Sequence, residues 1–376
     1  MKILTIFYHY PLYPQGSYFQ EFLNKLAESV DKVYLLACHY PKTDFKKHKN
    51  IKIFWVPLVK INYIGEVFFM IAVLLKAIFD NELRQADVVN SIGPRGLLAG
   101  WYLRKVYQIP LVCTIEALNE KGSLFRNIYY GLVRLLVVHV PVDKFICWSN
   151  YFWEDHLKKW GIPEDKVVII PGGIDTEINN PQIDGGEIKK KYAPDSPLIV
   201  FAKPLHDYNT GPAELIVQSI ALLRPELEVK ALIGSGDGKN RVQYLAQKLG
   251  ALDLVSFMPP TPFPEIPKYI AAADLVVLPY TSARSTSRSL LEAMAIGKPI
   301  ITTSVGETGR ILKNKEHAII VEAKPEFIAP KIKLLLKNKQ LSKEIRAGAL
   351  KLIKNKFSLS IVIDQTLAIF EDLTAS

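Results

Sequence analysis

Two arginines, three hydroxyls and one carboxylate crowd a short stretch: Arg284, Ser285, Thr286, Ser287, Arg288 and Glu292. Guanidinium groups clamp phosphate through paired hydrogen bonds. Hydroxyls add donors, and a carboxylate accepts from sugar or ribose hydroxyls. The chemistry these types suit is a phosphate beside a polyol, as in a nucleotide sugar. A solvated loop with Glu292 on a helix surface is equally compatible with this stretch read alone.

The flanking sequence supplies the elements that would position these groups. Residues 273–301 read ADLVVLPYTSARSTSRSLLEAMAIGKPII. The apolar run 275–278 is too short for a helix and stops at Pro279, which predicts a buried strand. A polar loop, 280–287, follows. A helix opens at Arg288 or Ser289, runs through strong helix formers, closes at Gly297 and cannot pass Pro299. Ile300 and Ile301 begin another strand. The loop therefore meets a helix N-terminus, whose unpaired N–H groups and positive dipole end attract anions.

With 376 residues and 49% apolar, the chain is long enough for two ordinary domains and rich enough in apolar side chains for large cores. Cys38, Cys113 and Cys147 lie in apolar, strand-like segments and read as small buried residues in a reducing compartment. The histidines show no metal-ligand spacing and no D-x-D pair occurs, so no metal is expected. The first ten residues read as a strand, with no leader pattern. A formal charge of +10 suits a phosphorylated substrate or an anionic membrane face. Nucleic acid is disfavoured because the basic residues are dispersed and no binding module is present.

Strands alternate with helices from residue 2 to about 170, pass a polar region, and alternate again from 198. This predicts α/β architecture with two doubly wound parallel sheets. The expected division is 1–178, a linker region 179–197, 198–356, and a final helix within 357–376. Ligands of such sheets bind beyond the carboxyl ends of the strands, here expected in a central cleft. Residues 67–75 and 132–140 are unusually apolar yet too short to span a bilayer. Buried crossover helices are the favoured reading. Docking on an anionic membrane face is the alternative, given Lys76, Arg104, Lys105, Arg126 and Arg134 nearby.

The order of these motifs resembles retaining GT-B glycosyltransferases of group 1 (family 4). The matching pieces are Gly16, CWSNYFWEDHLKKWGIPEDKVVIIPGGID at 147–175, LIGSGDG at 232–238, VSFMPP at 255–260, the 272–280 strand, and LLEAMAIGKPIITT at 290–303. The resemblance covers nearly the whole chain. It implies a GT-B fold, an acceptor-side first domain, a donor-binding second domain, and a last helix returning to the first. It further implies that Glu292 holds the donor ribose and that 285–288 presents backbone N–H groups to the diphosphate. Phe257 and Met258 would meet the base, and Gly234 and Gly236 would turn beside the donor. Gly16 would let a loop approach the phosphate.

Several positions depart from the family pattern. The family's diphosphate-binding arginine is Lys203 here, and its following lysine falls at Thr210. Its first paired glutamate is replaced by Arg284, and its first-domain histidine aligns with Glu116. The last glutamate of its glycine turn aligns with Arg310, with Glu307 close by. We expect Arg284 or Arg288 to restore the lost cation, and Glu116 to orient the sugar or take the acceptor proton. Same-face transfer aided by the donor phosphate tolerates such a site, because it needs positioning and charge stabilisation rather than paired acids.

The resulting expectation is a metal-independent hexosyltransferase with a nucleotide-diphosphate sugar as co-substrate and no other cofactor. Its acceptor would be a glycan or a lipid-linked sugar. Its place would be the cytoplasm, or the inner face of the membrane through peripheral contact. A catalytically silent nucleotide-sugar-binding partner subunit is the rival. A dinucleotide enzyme built on Gly-Ser-Gly-Asp-Gly is weaker, because its glycine spacing is wrong.

Overall fold

The computed structural model describes residues 1–8, 18–39, 47–57, 59, 63–115, 124–282 and 286–375. The chain forms two compact units, Met1–Pro171 with Ser360–Ser376, and Gly172–Leu359. Residues 179–197, expected as a linker region, belong to the second unit and contain the helix Gly186–Tyr192. The segment is packed down: a Cβ on Gly185 would lie 2.2 Å from the Ala272 nitrogen.

The first unit is a seven-stranded sheet of β1 (Lys2–Phe7), β2 (Lys32–His39), β3 (Ile51–Pro57), β4 (Val88–Ile92), β5 (Leu111–Ile115), β6 (Lys144–Cys147) and β7 (Val167–Ile169), in the order 3-2-1-4-5-6-7. The second unit has six strands, β8 (Leu198–Phe201), β9 (Lys230–Ile233), β10 (Val255–Phe257), β11 (Leu275–Leu278), β12 (Ile300–Thr302) and β13 (Ile319–Ile320), in the order 10-9-8-11-12-13. Every pairing is parallel, with Thr5 opposite Asn90 and Val276 opposite Val200 in the two sheet centres. Continuous Val, Ile and Leu runs suit this arrangement, because helices cover both faces of a parallel sheet. The three cysteines are buried and unpaired, and burial pushes the Cys38 and Cys147 thiols up to about 12.

In each sheet the strand order reverses once, between β1 and β4 and between β8 and β11. The loops leaving the carboxyl ends of such a strand pair diverge to opposite faces and open a crevice. In the second sheet the turns after β8 and β9 are knitted together by backbone bonds. Gly234 N donates to Phe201 O (2.9 Å), Leu205 N to Ser235 O (3.1 Å) and Gly238 N to Leu205 O (2.9 Å).

The apolar segments of the first unit differ from expectation. The helix Ile64–Phe79 buries Phe69, Met70, Val73 and Ala77, but leaves Ile71 51% exposed and Phe79 78% exposed. It is not a buried crossover helix. One of its apolar faces points outward, with Ile64, Phe68, Ile71, Leu75 and Phe79 exposed.

Gly234 has no room for a side chain, since a Cβ there would lie 1.9 Å from the Lys203 carbonyl oxygen. Gly234→Ala should destabilise the protein by about 1–3 kcal/mol through overpacking against rigid backbone. Gly131→Ala, in a helix and with nothing within 4 Å of the new methyl, should instead stabilise by about 0.5–1 kcal/mol. Urea midpoints of the two variants check the contrast.

Candidate active site

The crevice at the β8/β11 reversal is built from two chain segments. One is the turn after β8 that carries Lys203. The other joins β11 to the helix Arg288–Ala295. That helix is held at its far end by Gly297, whose φ of 71° fits the left-handed closing position. There Lys298 N reaches Ala293 O (2.9 Å) and Gly297 N reaches Met294 O (3.0 Å).

The near end is left open. Ser287 occupies the N-cap position, where a serine oxygen ordinarily accepts from a first-turn N–H. Here it makes no such bond, because its Oγ lies 2.7 Å from the Tyr280 hydroxyl. Among the described residues, then, no N-cap side chain closes the start of the Arg288–Ala295 helix, and its positive dipole end can face an anion. The Thr286 hydroxyl beside it is buried and has no hydrogen-bond partner.

Three charged groups meet over this helix start. Arg288 Nε donates to Glu292 Oε1 at 2.8 Å, one turn along, and the Arg288 guanidinium stacks 4.4 Å from the centre of the Phe263 ring. Glu292 is only 5% exposed, so it is no surface carboxylate. Burial pushes its carboxyl above the ordinary range, against the opposing pull of Arg288 and Lys203. Lys203 is half-buried, with its ammonium 5.9 Å from the Tyr280 ring centre. Burial lowers its pKa, Glu292 opposes that, and Arg288 adds to it. Arg288 thus pairs with a buried carboxylate at this helix start, and Lys203 lies within electrostatic reach of both, an arrangement suited to an anion next to a hydroxylated group.

Comparison with known proteins is consistent with this geometry. The model of "Glycosyl transferases group 1" matches residues 187–352, and that of "Glycosyltransferase Family 4" matches residues 15–178. The chain belongs to the group 1 glycosyltransferases. D-inositol 3-phosphate glycosyltransferase of Paenarthrobacter aurescens is 26% identical over 248 residues, 60% of this chain and 58% of that protein. The chain thus aligns with little more than half the length of this relative. An uncharacterized glycosyltransferase of Methanocaldococcus jannaschii is 22% identical over 99% of this chain and 98% of its own. In fold, the chain matches sucrose-phosphate synthase of Thermosynechococcus elongatus (TM-score 0.79, 16% identity, 100% and 99% of the two chains). It likewise matches HepE of Anabaena in complex with UDP (TM-score 0.78, 16% identity, 99% and 100%). The expected GT-B fold is therefore observed.

Of the residues expected in a group 1 site, the fold brings together Lys203, Thr286, Ser287, Arg288 and Glu292. Gly234 and Gly236 adjoin them, and what they accommodate is the neighbouring turn: a Cβ on Gly236 would lie 2.7 Å from the Leu205 carbonyl oxygen. Phe257 is half-buried under the Lys239 ammonium, 5.3 Å from its ring centre, at the end of β10. Met258 is buried in the core and its N–H is committed to Ile233 O at 2.8 Å. Gly16, Glu116, Arg284 and Ser285 lie outside the described residues.

Thr210, at the position of the family's second cation, is buried. Its hydroxyl donates to His206 O at 2.9 Å and packs on Gly238. Around the glycine turn after β12, Glu307 is buried and Arg310 exposed, so Glu307 holds the inward position. Tyr280 and Phe263 were not anticipated. Tyr280 could have been found as the last residue of the 272–280 strand motif, whereas nothing in the sequence pointed to Phe263.

A further charged cluster in the first unit was also not anticipated. Arg95 Nε donates to Glu66 at 2.6 Å, and both side chains are largely buried. The only sequence signal was Gly93-Pro94-Arg95-Gly96, which follows β4 with Gly93 at φ 79°.

The lowered Lys203 pKa has a definite sign. Below the folded pKa both states hold the proton, so the full cost of burying the charge is present. That cost is relieved as pH rises towards 10.5, the ordinary lysine value. Lys203→Met should therefore melt higher than the native protein at pH 7, with the gap closing by about pH 10. Calorimetric melts across that range check it.

Proposed function

We propose that the chain transfers a hexosyl group from a nucleotide-diphosphate sugar to an acceptor hydroxyl, with retention of configuration and without a metal. One observation carries the reading: an uncapped helix start with Lys203, Arg288 and buried Glu292 gathered over it. The similarity in fold to HepE, solved with UDP and with UDP-glucose, supports a nucleotide-sugar donor. The names of the aligned curated relatives support sugar transfer to a hydroxylated acceptor.

In this scheme the diphosphate sits on the helix start, against Lys203 and Arg288. Charge grows on its oxygens as the bond to the sugar breaks. Preoriented cations and amides stabilise that charge most in a dry site. Glu292 orients Arg288 and accepts from the ribose hydroxyls. The acceptor oxygen attacks from the face the diphosphate leaves, and its proton passes to the departing phosphate. Glu116, which follows β5 in the chain, is proposed to position the sugar. The acceptor is proposed to be lipid-linked or a growing polysaccharide, met at the inner face of a membrane.

A thermal-shift panel of UDP-, GDP- and ADP-sugars tests donor binding, since a ligand at 100 times its Kd stabilises by about 2.7 kcal/mol. One nucleotide class should raise the melting temperature, and the anomeric configuration of the product, read by NMR, tests retention. Binding without turnover over a broad acceptor panel would favour a silent partner subunit instead. Arg288→Ala should weaken donor binding about tenfold or more, as expected for a charge-assisted bond of about 1.5–3 kcal/mol. Unchanged donor affinity in that variant would remove Arg288 from the diphosphate site.

A further inference from the structure

On one face of the first sheet the helices Ile64–Phe79, Leu97–Tyr107 and Leu124–His139 enclose a groove of about 610 Å³. Val67, Met70, Trp101, Tyr129, Leu132 and Leu136 form most of its wall, and His139 is its one imidazole. The volume is that of a site for a ligand of some tens of atoms.

The groove does not stand alone. Along Ile64–Phe79 the exposed residues Ile64, Phe68, Ile71, Leu75 and Phe79 are spaced three and four apart, so they form one outward stripe. Leu124–His139 repeats the pattern, with Tyr129, Val133 and Val137 buried and Ile128, Leu132 and Leu135 exposed. An apolar surface of this extent is unusual where only water covers it.

Charge says what covers it. Within these three helices the sole acidic residue, Glu66, is spent on Arg95. Lys76, Lys105 and Arg134 are distributed along the same helices. Lys105 lies 5.2 Å above the Trp101 ring, and Arg134 5.9 Å above the Trp160 ring. Apolar side chains bordered by cations suit a hydrocarbon chain that ends in an anionic headgroup.

The groove also leads somewhere. Tyr129 lines it, and its hydroxyl lies beside the Arg95–Glu66 pair. That pair sits where β3 and β4 hand over to their helices, at the carboxyl edge of the sheet and next to the β1/β4 reversal. A chain lying along the groove would carry its polar end to the edge where doubly wound sheets bind ligands.

We propose that this groove binds the hydrocarbon chain of an anionic lipid, with the headgroup towards Arg95, and that this lipid is the acceptor. Its role as acceptor rests on the transferase reading; its binding does not. The test uses the full chain and vesicles of phosphatidylglycerol in phosphatidylcholine, with brominated acyl chains that quench tryptophan on contact. Quenching is expected on binding, and most of it should vanish in Trp101→Phe. Leu132→Asp and Leu135→Asp, at solvent-exposed positions that tolerate a charge, should each lower vesicle affinity at least tenfold with an unchanged melting temperature.

Four results would each overturn the proposal: unaltered binding by both aspartate variants, equal binding to pure phosphatidylcholine, vesicle capture without quenching at Trp101, or a dimer that Leu135→Asp dissociates. Vesicle binding together with failure of every nucleotide sugar in the donor panel would remove the transferase reading and leave the lipid site standing. Donor binding without any vesicle binding would do the reverse.

Discussion

A carboxylate buried beside two cations is the constraint on which the second unit turns. Glu292 has little water to solvate it, and an unpaired buried charge is expensive. Its partner Arg288 must therefore lie one helical turn away, and Lys203 must approach from another strand. The first condition requires the Arg288–Ala295 helix, closed by Gly297. The second requires β8 and β11 to be neighbours, which a reversal of strand order provides. The backbone carbonyl of Lys203 in turn lies so close to residue 234 that only a glycine fits there. Helix, sheet order and glycine turn all serve one charge arrangement.

The two units repeat one solution with different chemistry. Each reverses its strand order once, and each keeps a buried arginine–glutamate pair near that reversal, Arg95–Glu66 in the first and Arg288–Glu292 in the second. The surroundings differ. Arg288 stacks on Phe263 next to an uncapped helix, whereas Arg95 lies 5.2 Å over the Tyr8 ring, and Tyr129 connects its surroundings to an apolar groove. The second unit is thus shaped for a charged, hydroxylated ligand. The first combines a single fixed charge pair with a long hydrophobic surface. Two substrates of opposite character would need such a division.

Much of this was legible before any coordinates. Apolar runs of strand length, separated by amphipathic segments, were enough to specify parallel sheets, because burial on both faces leaves no alternation to read. Gly297 followed by Pro299 marked the end of the Arg288–Ala295 helix, since a left-handed closing residue and a missing N–H are local properties. The conjunction of Ser287, Arg288 and Glu292 was also visible, one turn apart on one element. By contrast, 67–75 looked like core, because hydropathy records how apolar a side chain is and not whether a neighbour covers it. Spacing put Arg310 at the end of the glycine turn with Glu307 close by, and could not tell which of the two a short helix turns inward.

By itself, then, the sequence determined what is local: strand and helix identity, the helix stop, and the residue types able to hold a phosphate beside a polyol. The tertiary structure decided what depends on contacts between distant segments. It brought Lys203 within electrostatic reach of Glu292, diverted the Ser287 hydroxyl to Tyr280, made Gly234 indispensable to the neighbouring turn, and turned one face of Ile64–Phe79 outward. The reason is physical. Propensity and periodicity act over a few residues, whereas burial, charge pairing and steric exclusion are set by whichever strand comes to lie alongside.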